Sequence, residues 1–306
     1  MQAKWAVKEE EKLMSQLDSD AYWDYQHPDQ TEAVFRRLLE EEAYQDDCTS
    51  RLQLLTQIAR AQGLQRHFVE AHQTLDIVKS ELTPELVVPT VRYLLERGRL
   101  FNSAGQPSEA TSWFHQAWDL ARIHEEATFF AIDAAHMLAI VVGSFAETVA
   151  WNTRALRLAQ TATDEQARGW CGSLYNNLGW TYHEQGEYEQ ALAYFQQAEE
   201  WQHEHGNGRE RRIARWCIGR TLRSLHRTTE ALALQQDLLT AWKQDDEEPD
   251  GYVFEEIAEC LYTLGQITES QSYFAQAYAR LCQDQWLVVQ ESARVERLQQ
   301  LSQPTP

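Results

Sequence analysis

The stretch Tyr175-Asn176-Asn177-Leu178-Gly179-Trp180-Thr181-Tyr182, followed by Gly186, Ala191, Phe195 and Ala198, sets the architecture of this chain. Tyr175, Leu178, Gly179 and Tyr182 fall at spacings of three and four, so they share one helical face. Beyond Gly186, the residues Ala191, Phe195 and Ala198 do the same on a second helix. Two antiparallel helices approach closely only where small residues stand between them, with large side chains filling the space around. A glycine inside a helix costs up to about 1 kcal/mol against alanine, so Gly179 is expected where contact demands it. Gly186 suits the turn, because it adopts positive φ without steric cost.

Weaker copies of this unit recur. The small position of the second helix falls at Ala71, Ala110, Thr148, Ala191, Ala231 and Ser270, at intervals of 38 to 43 residues. The residue before it is Glu70, Glu109, Glu147, Gln190, Glu230 and Glu269. Five residues before it stand Gly105, Gly143, Gly186 and Gly265, with Arg66 and His226 in the other copies. The copy around Thr148 is degenerate, with His136 and Asn152 where Gly and Phe are expected. One period before Ala71 lies Ala33, in a helix that starts near Pro28-Asp29. Its partner helix is expected around Leu13 to Tyr25. Trp286 to Leu301 reads as a helix covering the last open face, since stacked repeats need caps. The tail Ser302 to Pro306 is expected to fray.

The pattern resembles the tetratricopeptide repeat, Trp-x-x-Leu-Gly-x-x-Tyr followed by Ala and Phe. Tyr175 stands where Trp is usual, and His203 where a Pro often closes the unit. Period alone would favour HEAT or armadillo repeats of about 40–47 residues over the usual tetratricopeptide repeat of about 34. The Gly and Ala placement favours the latter with lengthened helices, similar to kinesin light chains, Pins-type adaptors and bacterial Rap-type regulators. The resemblance covers residues 50 to 283, with strict motifs in 172–204. It implies an all-α, right-handed superhelical solenoid of antiparallel helix pairs. Residues 1–48 are then an N-terminal helical cap or degenerate repeat, 49–283 six repeats, and 284–306 a capping helix with a short tail. It also implies a non-enzymatic scaffold or adaptor that binds a peptide or partner protein in a concave groove. The alternative is a Rap-type regulator switched by a signalling peptide. Such regulators carry a distinct N-terminal helical bundle, for which residues 1–48 are short.

Composition sets bounds. Hydrophobic residues make up 43%, with few Pro and Gly, which describes a globular chain. A repeat array of 306 residues needs no second core. No apolar stretch is long enough to span a membrane, and the acidic start does not read as a signal peptide. Five scattered cysteines (48, 171, 217, 260 and 282) suit a reducing compartment, so a cytoplasmic location is expected. The net charge of −20 argues against nucleic acid as a partner, since that binding neutralises phosphates with Lys and Arg. The charge is uneven: residues 206–227 hold seven Arg and one Glu, and 237–259 hold nine acidic residues and one basic.

In tetratricopeptide arrays the first helices line the groove. Aligned on Gly179, the inward positions are Asn176, Asn177, Trp180, His183 and Glu184; then Trp216, Cys217, Arg220, Arg223 and Ser224. An earlier unit offers Leu95, Glu96, Arg99, Asn102 and Ser103, and the first Thr56, Gln57, Arg60 and Gly63. The last offers Glu255, Glu256, Glu259, Tyr262 and Thr263, so that end of the groove reads as acidic. The partner-binding candidates are Arg99, Asn102, Asn176, Asn177, Trp180, His183, Trp216, Arg220 and Arg223. Asn amides pair with an extended backbone, Arg takes carboxylates bidentately, and Trp and Arg are enriched at binding hot spots. A peptide with acidic and apolar side chains is the expected partner. The family's carboxylate clamp for chaperone C-termini is matched at Asn177. It fails at Asp133 and Met137, where Lys and Asn are wanted, and is only partly met at Trp216 and Arg220.

No phosphate loop, His-Glu-x-x-His run or nucleophile elbow is present. His203 and His205 lack completing metal ligands and read as a polar turn, as do His67 and His72. No catalytic residue, metal or cofactor is assigned.

Overall fold

The structure, a computed structural model, describes residues 19–206, 208–244 and 248–303. Among the described residues it is all α, without a strand. The helices form two compact units that part between Arg168 and Gly169.

The first unit holds α1 (Pro28–Leu38), a short α2 (Glu42–Gln45), then three hairpins and a closing turn of helix. The hairpins are α3 (Cys48–Leu64) with α4 (Phe68–Glu81), α5 (Val87–Ser103) with α6 (Pro107–Ala121), and α7 (Thr128–Val141) with α8 (Phe145–Thr161). The closing turn is α9 (Glu165–Arg168). The interval from Thr148 to Ala191 is the longest in the sequence, and α9 is the extra chain that lengthens it.

The second unit repeats the plan. It pairs α10 (Trp170–Glu184) with α11 (Tyr188–His205), α12 (Gly208–Ser224) with α13 (Thr228–Gln244), and α14 (Gly251–Thr263) with α15 (Ile267–Leu281). The helix expected over 286–301 is broken at Glu291 into α16 (Gln285–Gln290) and α17 (Ser292–Leu301). Asp284 caps α16, accepting from the N–H groups of Trp286 and Leu287. Leu287 and Leu298 are buried, whereas Val288 is exposed.

Within each hairpin the small positions sit where the alignment puts them. Ala71, Ala110, Ala191, Ala231 and Ser270 are all fully buried. One turn on, Phe114, Phe195 and Phe274 are fully buried too. A Cβ placed on Gly179 would lie 2.5 Å from Phe195 Cε1, and one on Gly98 would strike Phe114. Those helices therefore approach at a distance only glycine permits. In the hairpin of α12 and α13, Gln235 takes the Phe place; its amide donates to the Trp216 carbonyl at 3.2 Å. In the degenerate copy the Thr148 hydroxyl donates to the Ala139 carbonyl at 3.3 Å, so a hydrogen bond joins the hairpin.

Two expectations change. The buried face of α1 is Thr31, Phe35 and Leu38, while Ala33 is exposed, so this copy is registered on Thr31, two residues earlier. Residues 13–18 of the expected partner helix lie outside the described residues. Ser19–Tyr22 is one 3-10 turn, and Trp23 beyond it donates to Gln57 Oε1 at 2.8 Å. The last residues of the tail, 304–306, also lie outside the described set.

The turns follow one design. Gly105, Gly186 and Gly265 have φ of 78°, 84° and 79°, and Arg66 and His226 adopt the same left-handed backbone at 65° and 60°. Each closes its helix with the same pair of bonds; at Gly186 these are Gly186 N–H to His183 O and Glu187 N–H to Tyr182 O. Gly143 departs from this, because α7 ends in an extended Val142. The left-handed conformation costs a non-glycine residue about 1–2 kcal/mol. Glycine's extra unfolded freedom offsets about 0.4–1 kcal/mol of that. Arg66→Gly and His226→Gly should therefore each stabilise by roughly 0.5–1 kcal/mol in urea unfolding. A loss of stability in both would contradict the turn assignment.

Candidate functional site

The first helices of neighbouring repeats meet along a row of charges. In the first unit Arg99 on α5 places one guanidinium nitrogen 2.6 Å from both carboxylate oxygens of Asp133 on α7. Its other terminal nitrogen lies 2.6 Å from Glu96. Arg60 on α3 approaches the same Glu96 at 3.8 Å. Glu96 and Asp133 are buried. Burial would raise the Asp133 carboxyl, but the Arg99 charge and hydrogen bonds outweigh it and hold the carboxyl below the ordinary range. His136 beside this pair is pushed down by burial.

The second unit has the same construction. Arg223 on α12 grips Glu256 on α14 bidentately at 2.7 and 2.9 Å, and Arg220 reaches the same carboxylate at 3.2 Å. Glu256 is 3% exposed, while the arginine side chains keep 31% and 22% of their surface. From α17, Arg294 meets Glu255 at 2.7 Å and Arg297 pairs with Glu259. The acidic end expected of this surface is therefore neutralised from within. Stacking buries Glu255 and Glu256, and a buried carboxylate stays charged only beside an opposite charge.

Aromatic side chains fill the space between. Trp180 on α10 lies 6.0 Å from Trp216 on α12, and 5.3 Å edge-on to the buried Phe195. Trp216 lies 5.9 Å from Tyr252 and donates its indole N–H to the Tyr252 carbonyl at 3.1 Å. His183 sits 5.1 Å from Trp180, with Nε2 3.0 Å from Ser224 Oγ. Burial first, then the Arg220 charge, holds the His183 imidazole below its ordinary value.

Seven of the nine expected partner-binding residues thus stand in one unit: Asn176, Asn177, Trp180, His183, Trp216, Arg220 and Arg223. Each is half-buried. Arg99 and Asn102 belong to the other unit. Asn176 accepts from the Cys217 thiol at 3.5 Å. Several positions expected to point inward are instead sealed between helices, among them Thr56, Gln57, Leu95, Glu96, Cys217, Glu255 and Glu256. The Cys217 thiol is pushed up to about 12 by burial, which leaves it inert as a nucleophile. The residues missed from sequence are the carboxylates that hold the arginines and the α17 arginines. A signal existed: Arg60 with Glu96 and Arg220 with Glu256 are each 36 residues apart, one repeat on and slightly back.

Among the described residues no group of His, Cys, Asp and Glu could hold a metal ion. His205 stacks on Trp201 at 4.0 Å inside α11, so the pair at 203 and 205 lies in a helix end and not in a turn. His72 on α4 accepts at 2.6 Å from the Arg97 guanidinium of α5.

Residues 129–200 match the tetratricopeptide repeat family model. The matched segment contains the strict motif and the degenerate hairpin before it. No curated protein matches the chain. Among solved structures, similarity extends to a signal transduction ATPase with a tetratricopeptide repeat sensor from Pyrococcus horikoshii. It has a TM-score of 0.65 at 14% identity, over 90% of this chain and 42% of that one. A putative kinesin light chain repeat protein from Podosopora anserina matches with a TM-score of 0.53 at 17% identity, over 65% of this chain and 98% of that one. Aspartyl phosphate phosphatase F from Bacillus subtilis matches with a TM-score of 0.56 at 12% identity, over 98% of this chain and 89% of that one. These likenesses establish the fold, a tetratricopeptide-like solenoid of helix pairs. Among the described residues no helix is long and apolar enough to cross a membrane.

The histidine environment makes a testable statement about pH. An unfolded histidine takes up a proton near 6.5, whereas the folded His183 resists it. Its contribution is present above about pH 6.5 and is lost as pH falls toward the lower folded value. Acidifying from about pH 7.5 to 5.5 should lower the Tm of the chain, and His183→Gln should flatten that decline. An unchanged slope in the variant would refute the assignment.

Proposed function

We propose that this chain is a non-enzymatic interaction scaffold whose second unit binds an extended peptide across Trp180, Trp216, Arg220 and Arg223. One observation carries the reading: two indoles 6.0 Å apart stay half-buried while the charges around them are already paired. Aromatic surface of this kind supplies binding area at low entropic cost, and Trp and Arg dominate binding hot spots. The internal pairing of Arg223 shifts the weight of recognition from acidic to apolar side chains. Arg220, the more open of the two arginines, is the place for a carboxylate of the peptide. Asn176 and Asn177 lie one turn before Trp180, where amides can meet the peptide backbone.

The five cysteines stand as thiols rather than as disulfides, which supports a reducing, cytoplasmic setting. Neither nucleic acid nor membrane is proposed as a partner, in keeping with the net charge of −20. We carry forward residues 1–48 as a helical cap or degenerate repeat, and 284–306 as a capping helix with a short tail. In the latter, α17 supplies Arg294 and Arg297 to the last repeat.

Peptides selected from a random library on the immobilised protein test the reading. Trp180→Ala should weaken the selected peptides by at least about tenfold, and Arg220→Ala by several-fold. Affinity unchanged in Trp180→Ala, with helix content intact, would reject the surface. Small-angle scattering of the same complexes separates a rigid scaffold, which keeps its dimensions, from a Rap-type regulator, which changes them.

A further inference from the structure

A pocket of about 220 Å³ opens in the second unit between α12, α13 and α14. Its walls are apolar: Ile213, Trp216, Leu238, Trp242, Tyr252 and Val253. The two indoles in that wall differ. Trp216 spends its N–H on the Tyr252 carbonyl. Trp242 Nε1 is buried and finds no acceptor among the described residues.

Two charged residues also line the pocket. The Arg212 guanidinium lies 4.2 Å over the Trp242 ring. Asp250 caps α14, its carboxylate accepting the Tyr252 N–H at 3.0 Å. Among the described lining residues one positive and one negative group offset each other, so the pocket suits a neutral group. Size decides the rest. Sites for drug-sized molecules and cofactors enclose about 300–1,000 Å³, and this one is smaller. It has room for a single large side chain.

We propose that this pocket receives one neutral aromatic or branched apolar side chain of a bound peptide. The proposal rests on the peptide-binding reading above and specifies it. Trp216 is the shared wall: one neighbour is Trp180 of the binding surface, the other is Tyr252 of the pocket. A peptide crossing the two indoles would drop one anchor side chain into the pocket.

The test uses the full chain with 15N-labelled indoles and three capped amino acids: N-acetyl-tryptophanamide, N-acetyl-leucinamide and N-acetyl-glycinamide. Trp242→Phe assigns the Trp242 resonance. The tryptophan and leucine amides should shift that resonance saturably, and the glycine amide should not. Ile213 is exposed at the rim, so Ile213→Trp can fill the mouth without disturbing the core. It should weaken binding of both amides at least tenfold. A Trp242 resonance that stays put, that moves equally with the glycine amide, or that still responds in Ile213→Trp would overturn the proposal. Amide binding at the pocket together with selected peptides indifferent to Trp180→Ala would leave the pocket standing and remove the peptide surface. The reverse pair of results would remove the pocket alone.

Discussion

Stacking buries carboxylates on the first helices, and a charge taken out of water is tolerated only when an opposite charge meets it. Glu96, Asp133, Glu255 and Glu256 are all sealed between helices. Each is met by an arginine from an adjacent repeat or from the closing helix: Arg60 and Arg99, Arg99, Arg294, and Arg220 with Arg223. The arrangement recurs in both units. It fixes which helices are neighbours and at what offset, because an apolar seam tolerates sliding and a bidentate pair does not. It also fixes what remains for a partner. With its charges taken up internally, the surface of the second unit offers mainly half-buried indoles.

The hairpins themselves were readable because their constraint is steric and local. Gly98 and Gly179 face Phe114 and Phe195 at a distance no other residue allows. That contact writes a small residue and a Phe at fixed spacing into each good copy. The turns were equally plain, even at Arg66 and His226, since alignment put them where Gly105, Gly186 and Gly265 stand. The start was misregistered by two residues. Glu32-Ala33 imitates the Glu-Ala pair of later copies, whereas the buried face runs through Thr31, Phe35 and Leu38. The part between Arg168 and Gly169 leaves no compositional mark, apart from the lengthened interval that α9 occupies.

The candidate surface was half readable. Trp180, Trp216, Arg220 and Arg223, picked by position on the helix, stand in one unit. Counting positions on an isolated helix could not show that the next helix covers Cys217, Glu255 and Glu256. Nor could it show that Arg294 and Arg297, on a segment read only as a cap, reach back to Glu255 and Glu259. These are contacts between elements far apart in sequence, and one chain without relatives carries them only as complementary charges about one repeat apart. The apolar pocket beside Trp242 is of the same kind, since three helices contribute to it.

The pairing of Arg223 with Glu256 tests this view most directly. Single Ala variants and their double variant form a thermodynamic cycle read by urea unfolding. If the buried carboxylate requires its arginine, the cycle should return a coupling of roughly 1–3 kcal/mol, and removing both should cost less than the two single losses together. Additivity to within about 0.3–0.5 kcal/mol would mean that the pair does not hold these repeats together. The arginine would then stand free for a partner after all.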